Sequence, residues 1–318
     1  MRKAKHFIKL SFIYLVINVF QKQALASQLH YTTALDLPYS EVDGKVLTLN
    51  AFYPSQSKQP VPVIIDIHGG WFIGGEPMTT IPTYFKEKEI AVFSIRYRLG
   101  EEGGFPENIR DCRNAVRYIR KNAARFNIDP DRIGCMGGSA GGYLSLMLAM
   151  APDDFQDGGP TPGLENVSAK VNSCFSYIAP TDMYRFWLQG PSDEIRNPDG
   201  TISFRSVDAR IENDVRPRFR MLFHYVVPNN TKNIAWYKYL SPIHHIRKDI
   251  CPILICDGDV DQIVPGLHGK LFYEKMKQQG NDITYWMTEN GGHSYPSGEG
   301  FDQIFHAFIM RTLGLHVK

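Results

Sequence analysis

Three short stretches carry side chains that could do covalent chemistry together. Gly137-Gly138-Ser139-Ala140-Gly141-Gly142 places a serine among very small residues. Asp257-Gly258-Asp259-Val260-Asp261 sets carboxylates at every second position, and Glu289-Asn290-Gly291-Gly292-His293-Ser294 puts an imidazole in a glycine-rich turn. A serine hydroxyl becomes a nucleophile when an imidazole takes its proton, and a carboxylate holds that imidazole and stabilises its charged form. The chain order serine, aspartate, histidine is one of the orders in which this chemistry is built.

Each stretch has a rival reading. The aspartates could be positions one, three and five of a calcium loop, which then needs glycine sixth and glutamate twelfth. Those places hold Gln262 and His268, so calcium fails, and no CxxC pair suggests zinc. The glycines around Ser139 could cradle a phosphate, but the lysine of a G-x-x-x-x-G-K-[ST] loop is missing. Among the aspartates, proximity alone leaves Asp261 and Asp259 as competitors to be the acid, the other being a turn residue. Of the ten histidines, His293 is chosen by its order relative to Ser139 and Asp261; His244 and His245 precede the acid and read as structural.

Such residues need a scaffold that brings distant segments to one edge. β-rich runs at 61–68, 90–97, 132–136, 171–177, 252–256 and 283–287 alternate with helical patterns at 108–124, 141–150, 267–279 and 301–313. Several runs are almost continuously apolar, which suits strands covered on both faces. Alternation of this kind implies an α/β fold with a mostly parallel central sheet flanked by helices on both faces. Segments 31–37 and 46–53 read as an antiparallel edge. In the first helix Ile109, Cys112, Val116 and Ile119 recur at 3-4-3 spacing, with Arg113, Arg117, Arg120 and Lys121 expected to face elsewhere. Ser139 then falls between a strand and a helix, on a turn so tight that the residues two away on either side must be tiny; Gly137 and Gly141 meet that demand.

The remaining features bound the setting. A net charge of +2 over 318 residues gives no basic field for nucleic acid. Residues 1–9 are basic, 10–20 apolar, and Ala24-Leu25-Ala26 offers small residues at cleavage spacing. That order reads as a signal peptide over residues 1–26, with a mature catalytic domain at 27–318, secreted or periplasmic, and without stable membrane association after cleavage. The cysteines, at 112, 135, 174, 251 and 256, are odd in number and form no tight framework, so free thiols are expected. Residues from about 183 to 240 break the alternation and are rich in aromatics, which reads as a cap-like insertion.

Taken with His68-Gly69-Gly70-Trp71-Phe72-Ile73-Gly74-Gly75, Tyr97-Arg98-Leu99, Asp129-Pro130-Asp131-Arg132-Ile133 and Ser241-Pro242-Ile243-His244, the serine turn resembles the hormone-sensitive-lipase-like esterases of the α/β-hydrolase fold. More narrowly it is similar to the bacterial feruloyl- or acetylxylan-esterase branch. The resemblance implies Ser139, Asp261 and His293 as the catalytic residues. It also implies an oxyanion hole from the amides of Gly70, Trp71 and Ala140, with Trp71 standing where the family often has a third glycine. Trp71 and Phe72 are candidate substrate-binding residues, and Asp257 replaces the family's usual histidine. The activity implied is hydrolysis of short-acyl or feruloyl esters of carbohydrates, without metal or cofactor. The same triad could serve a peptidase or lactonase, and the fold could serve a non-catalytic binding protein.

Overall fold

The computed structural model describes residues 30–151, 155–189, 194–196, 202–204 and 234–315. The expected signal peptide and most of the expected insertion lie outside the described residues. The strands are β1 (Tyr31–Val42), β2 (Lys45–Pro54), β3 (Val61–Ile67), β4 (Ala91–Ile95), β5 (Ile128–Gly138), β6 (Ser173–Tyr177), β7 (Glu194–Arg196), β8 (Ile202–Phe204), β9 (Ile253–Gly258) and β10 (Ile283–Thr288). The helices are α1 (Thr83–Glu87), α2 (Glu107–Lys121), α3 (Ala123–Phe126), α4 (Ala140–Met150), α5 (Met183–Gln189), α6 (Ile234–Tyr239), α7 (Leu267–Gln278) and α8 (Phe301–Thr312).

An eight-stranded sheet runs in the order β1-β2-β4-β3-β5-β6-β9-β10. From β4 to β10 every pairing is parallel, while β1 and β2 add an antiparallel edge. Within the insertion, β7 and β8 pair with each other antiparallel. The central strands are β-branched and apolar on both faces, because each face is covered. On one side the sheet packs against Ile109, Val116, Leu144, Phe272 and Met276 of α2, α4 and α7. On the other it packs against Phe85 of α1 and Phe301, Phe305 and Phe308 of α8. All five cysteines are free.

Arg113 and Arg117 lie off the face turned to the sheet, and yet they are buried, at 4% and 7% exposed. Residues 155–170 cross the polar side of α2 and cover it. Arg113 donates to Asp157 at 3.1 Å, and Arg117 donates to the Val167 carbonyl at 3.2 Å. Helical periodicity identifies the face turned to the sheet, but it carries no information on a distant loop whose carbonyls and carboxylate can pair with arginines.

Candidate active site

β5 ends at Gly138 and α4 starts at Ala140, so Ser139 alone makes the turn, with φ 55° and ψ −121°. A non-glycine residue there is strained, and such strain survives only when its surroundings over-determine it. The Ser139 amide donates to the Tyr177 carbonyl at 2.9 Å, and the Ser139 carbonyl accepts the Tyr143 amide at 2.9 Å. The flanking glycines are demanded by contact. A Cβ on Gly137 would lie 2.5 Å from the Gly141 carbonyl carbon, and one on Gly141 would lie 1.9 Å from the Ile67 oxygen.

Strand ends deliver the other two groups. Asp261 follows β9 and His293 follows β10, and these strands are parallel neighbours. Their loops are clasped together. Asp259 Oδ1 accepts the Gly291 amide at 3.1 Å, and the Val260 amide donates to the Gly291 carbonyl at 3.0 Å. Asp259, read from sequence as a turn residue, is thus a tie between the acid loop and the histidine loop.

His293 Nδ1 lies 2.7 Å from Asp261 Oδ2, and His293 Nε2 lies 3.0 Å from Ser139 Oγ. The other oxygen of Asp261 accepts the amides of Ile263 at 2.8 Å and Val264 at 3.0 Å. Both carboxylate oxygens are therefore occupied, and the side chain is fully buried. A carboxylate accepts, so the proton sits on Nδ1 and the Nε2 lone pair faces the serine hydroxyl. The arrangement can remove the hydroxyl proton as the oxygen attacks an acyl carbon.

The loop after β3 faces this turn. A Cβ on Gly69 would lie 3.0 Å from the Gly138 oxygen and 3.6 Å from Ser139 Cβ. Gly70, Trp71 and Phe72 all have positive φ, at 115°, 60° and 60°. Two side-chain-bearing residues in this region cost about 1–2 kcal/mol each. The loop is held by the Ile73 and Gly74 amides on the Gly70 carbonyl and by the Gly100 amide on the Phe72 carbonyl. The Phe72 ring is wedged edge-on against Phe105 and Tyr143, at 4.9 and 5.3 Å. The amides of Gly70, Trp71 and Ala140 donate to no group among the described residues, which leaves them free for a developing oxyanion. His68 stacks on Tyr97 at 4.4 Å, with Nδ1 2.8 Å from the Gly69 carbonyl. Burial lowers its pKa, so it supports the loop as a neutral ring.

Sequence reasoning did not reach four lining groups. Pro180, Phe186, Ile263 and Val264 border a cavity with Trp71, Phe72, Ala140 and the serine. Val264 could have been found from its position three residues after Asp261; Phe186, at the start of the insertion, left no signal.

Asp257 is also unexpected in its setting. It is 2% exposed, with the Tyr285 hydroxyl and the Gly269 amide beside its carboxyl group. Burial, with the neighbouring Asp261, pushes its pKa well above the usual carboxylate range. The unfolded chain ionises near pH 4 while the folded chain keeps the proton, so stability falls as pH rises between the two values. An Asp257→Asn variant lacks this loss. Its thermal midpoint relative to wild type should climb steadily from pH 4 to pH 8, and parallel midpoint curves would contradict the assignment.

A mostly parallel sheet flanked by helices, with a strained serine between strand and helix and an Asp–His pair on the following strand ends, defines the α/β-hydrolase fold. Solved structures agree. A truncated carbohydrate esterase from gut microbiota matches with a TM-score of 0.70 at 22% identity, covering 90% of this chain and 98% of that one. Esterase 2 of Thermogutta terrifontis matches at 0.65 and 23% identity, covering 89% and 93%. At such identities the likeness shows the fold.

The chain belongs to the BD-FAE family, which it matches over residues 49–276. That span contains Ser139 and Asp261 and ends before His293. Esterase LipQ of Mycobacterium tuberculosis is 24% identical over 241 residues, 74% of this chain and 50% of LipQ. Carboxylesterase NlhH of the same species is 33% identical over 119 residues, 36% of each chain. The chain spans about half the length of the curated relatives that it matches over most of its own residues, LipQ among them.

Proposed function

We propose that the protein is a serine carboxylic-ester hydrolase, exported from the cytoplasm, that acts on acyl esters of carbohydrates through an acyl-enzyme. The observation that carries this reading is the unbroken chain from Ser139 Oγ to His293 Nε2, 3.0 Å, and from His293 Nδ1 to Asp261, 2.7 Å. His293 takes the hydroxyl proton as Ser139 Oγ attacks the ester carbonyl. The amides of Gly70, Trp71 and Ala140 receive the oxyanion, each such donor being worth about 3–4 kcal/mol in the transition state. His293 then passes its proton to the leaving alcohol. Water, deprotonated by the same imidazole, releases the acid and restores Ser139. Asp261 orients the ring and stabilises its charged form without taking the proton.

The names of similar proteins support the ester reading, and the gut carbohydrate esterase supports the alcohol. The basic-then-apolar order of residues 1–26 supports export. Expressed from its full sequence, protein collected outside the inner membrane should begin at Ser27. It should hydrolyse acetylated xylosides and p-nitrophenyl acetate in preference to dipeptide amides or lactones. Retention of the leader on a membrane would end the export claim, and preference for amides would end the esterase claim.

A further inference from the structure

The turn that presents His293 contains the one Asn-Gly step in the sequence, Asn290-Gly291. Its backbone demands both residues. The Gly291 amide donates to the Thr288 carbonyl at 3.1 Å, which closes a turn over residues 288–291. Asn290, third in that turn, has φ 53°, a place that takes glycine or asparagine. A Cβ on Gly291 would lie 2.7 Å from Thr288 Cβ and 2.9 Å from the Thr288 oxygen, so a larger residue has no room there.

Such a pair can react with itself. The Gly291 nitrogen, once hydroxide takes its proton, can attack the side-chain carbonyl carbon of Asn290. The bond from that carbon to the side-chain nitrogen breaks, ammonia leaves, and a cyclic imide joins the two residues. Water then opens the imide at either carbonyl. One opening gives aspartate. The other gives isoaspartate, in which the main chain runs through the former side chain and is one methylene longer. On balance one water is consumed and one ammonia released.

The loop favours this reaction on one side and opposes it on the other. Asn290 is exposed, so water and hydroxide reach it. Gly291 is buried, and its nitrogen is held twice, on the Thr288 carbonyl and on Asp259 Oδ1, each at 3.1 Å. A carboxylate beside that nitrogen disfavours the negative charge it must carry to attack.

We propose that Asn290–Gly291 is a modification site that turns the enzyme off: conversion to isoaspartate misplaces His293, and Asp259 sets the rate by holding the attacking nitrogen. The Gly291 carbonyl also accepts the Val260 amide at 3.0 Å, two residues before the catalytic imidazole. A methylene added between residues 290 and 291 must break one of these ties or move His293 from its 3.0 Å contact with Ser139 Oγ. A displacement of about 1 Å there costs on the order of 100-fold in rate. The loss of activity rests on the ester-hydrolase reading above, whereas the conversion of Asn290 does not.

The test holds folded wild type, Asp259→Ala, Asp259→Asn and Asn290→Gly in mildly alkaline buffer for days. Samples are assayed on p-nitrophenyl acetate and digested for mass spectrometry of the peptide carrying residues 290 and 291, with isoaspartate read by enzymatic methylation. Wild type should lose activity in step with isoaspartate. Asn290→Gly, which has no side-chain amide, should keep its starting activity over the same period. Asp259→Ala should convert about 10-fold faster or more, the worth of a hydrogen bond to a charged acceptor. Asp259→Asn, which keeps an oxygen in that place, should fall between. Wild type that gains no isoaspartate, equal conversion rates across the Asp259 series, or isoaspartate that accumulates without loss of activity would each overturn the inference. Absence of hydrolysis in every fresh sample overturns the esterase reading instead, and the peptide masses still decide the chemistry. If Asp259→Ala does not fold, wild type against Asn290→Gly decides the matter.

Discussion

Asp261→Asn should lower kcat by about 10⁴-fold with little change in KM or thermal stability. The reason lies in how the carboxylate is held. Its Oδ1 accepts the amides of Ile263 and Val264, and an asparagine must keep its carbonyl oxygen there. The new amino group is then turned towards His293 Nδ1. It can only donate, so the imidazole proton moves to Nε2 and the lone pair that should receive the Ser139 proton is lost. Ser139→Ala removes the nucleophile itself and should cost on the order of 10⁶-fold in kcat. Steady-state rates on p-nitrophenyl acetate measure both, and an Asp261→Asn enzyme within about 10-fold of wild type would show that another group orients the base.

Gly141→Ala should destabilise the whole molecule. Its Cβ would lie 1.9 Å from the Ile67 oxygen and 2.7 Å from the His68 oxygen. Both are backbone atoms at the end of β3, so no side-chain rotation relieves the overlap, and α4 must move away from the sheet. Overpacking of this kind exceeds the 1–3 kcal/mol typical of an inserted core methylene. The thermal midpoint should drop by about 10 °C or more, at roughly 2–4 °C per kcal/mol for a large domain. The moved turn should also misplace the Ser139 hydroxyl. Gly292, beside His293, is the control: nothing lies within 4 Å of its Cβ position, and Gly292→Ala should leave the midpoint within about 2 °C. Equal midpoints for the two variants would mean that the serine turn tolerates the displacement.

The sheet and the three candidate catalytic groups were legible for related reasons. Strands buried on both faces write themselves as apolar runs, and a serine between such a run and a helix, flanked by glycines two residues away, has few other uses. The order of Asp261 and His293 after successive strands then follows from a parallel sheet, whose strand ends meet at one edge. What could not be read is what distant segments do to each other. Arg113 and Arg117 read only as facing away from the sheet until residues 155–170 are laid across them. Asp257 is read only as standing where the family usually has a histidine, and the sequence does not show that it is buried. Asp259 competes with Asp261 by sequence alone, and only the pairing of two loops gives it to Gly291 instead. Phe186 sits in a stretch with no periodic pattern, and its place beside Ser139 is a tertiary fact with no local trace.

The proposed chemistry turns on a single oxygen atom, Ser139 Oγ, and a reagent that phosphonylates only an activated serine gives the most direct reading. Folded protein treated with a fluorophosphonate and digested for mass spectrometry should carry one phosphonyl group, on the peptide containing Ser139, and His293→Ala should abolish the labelling. Protein that stays unlabelled while folded, or that carries the group on another serine, would contradict the account.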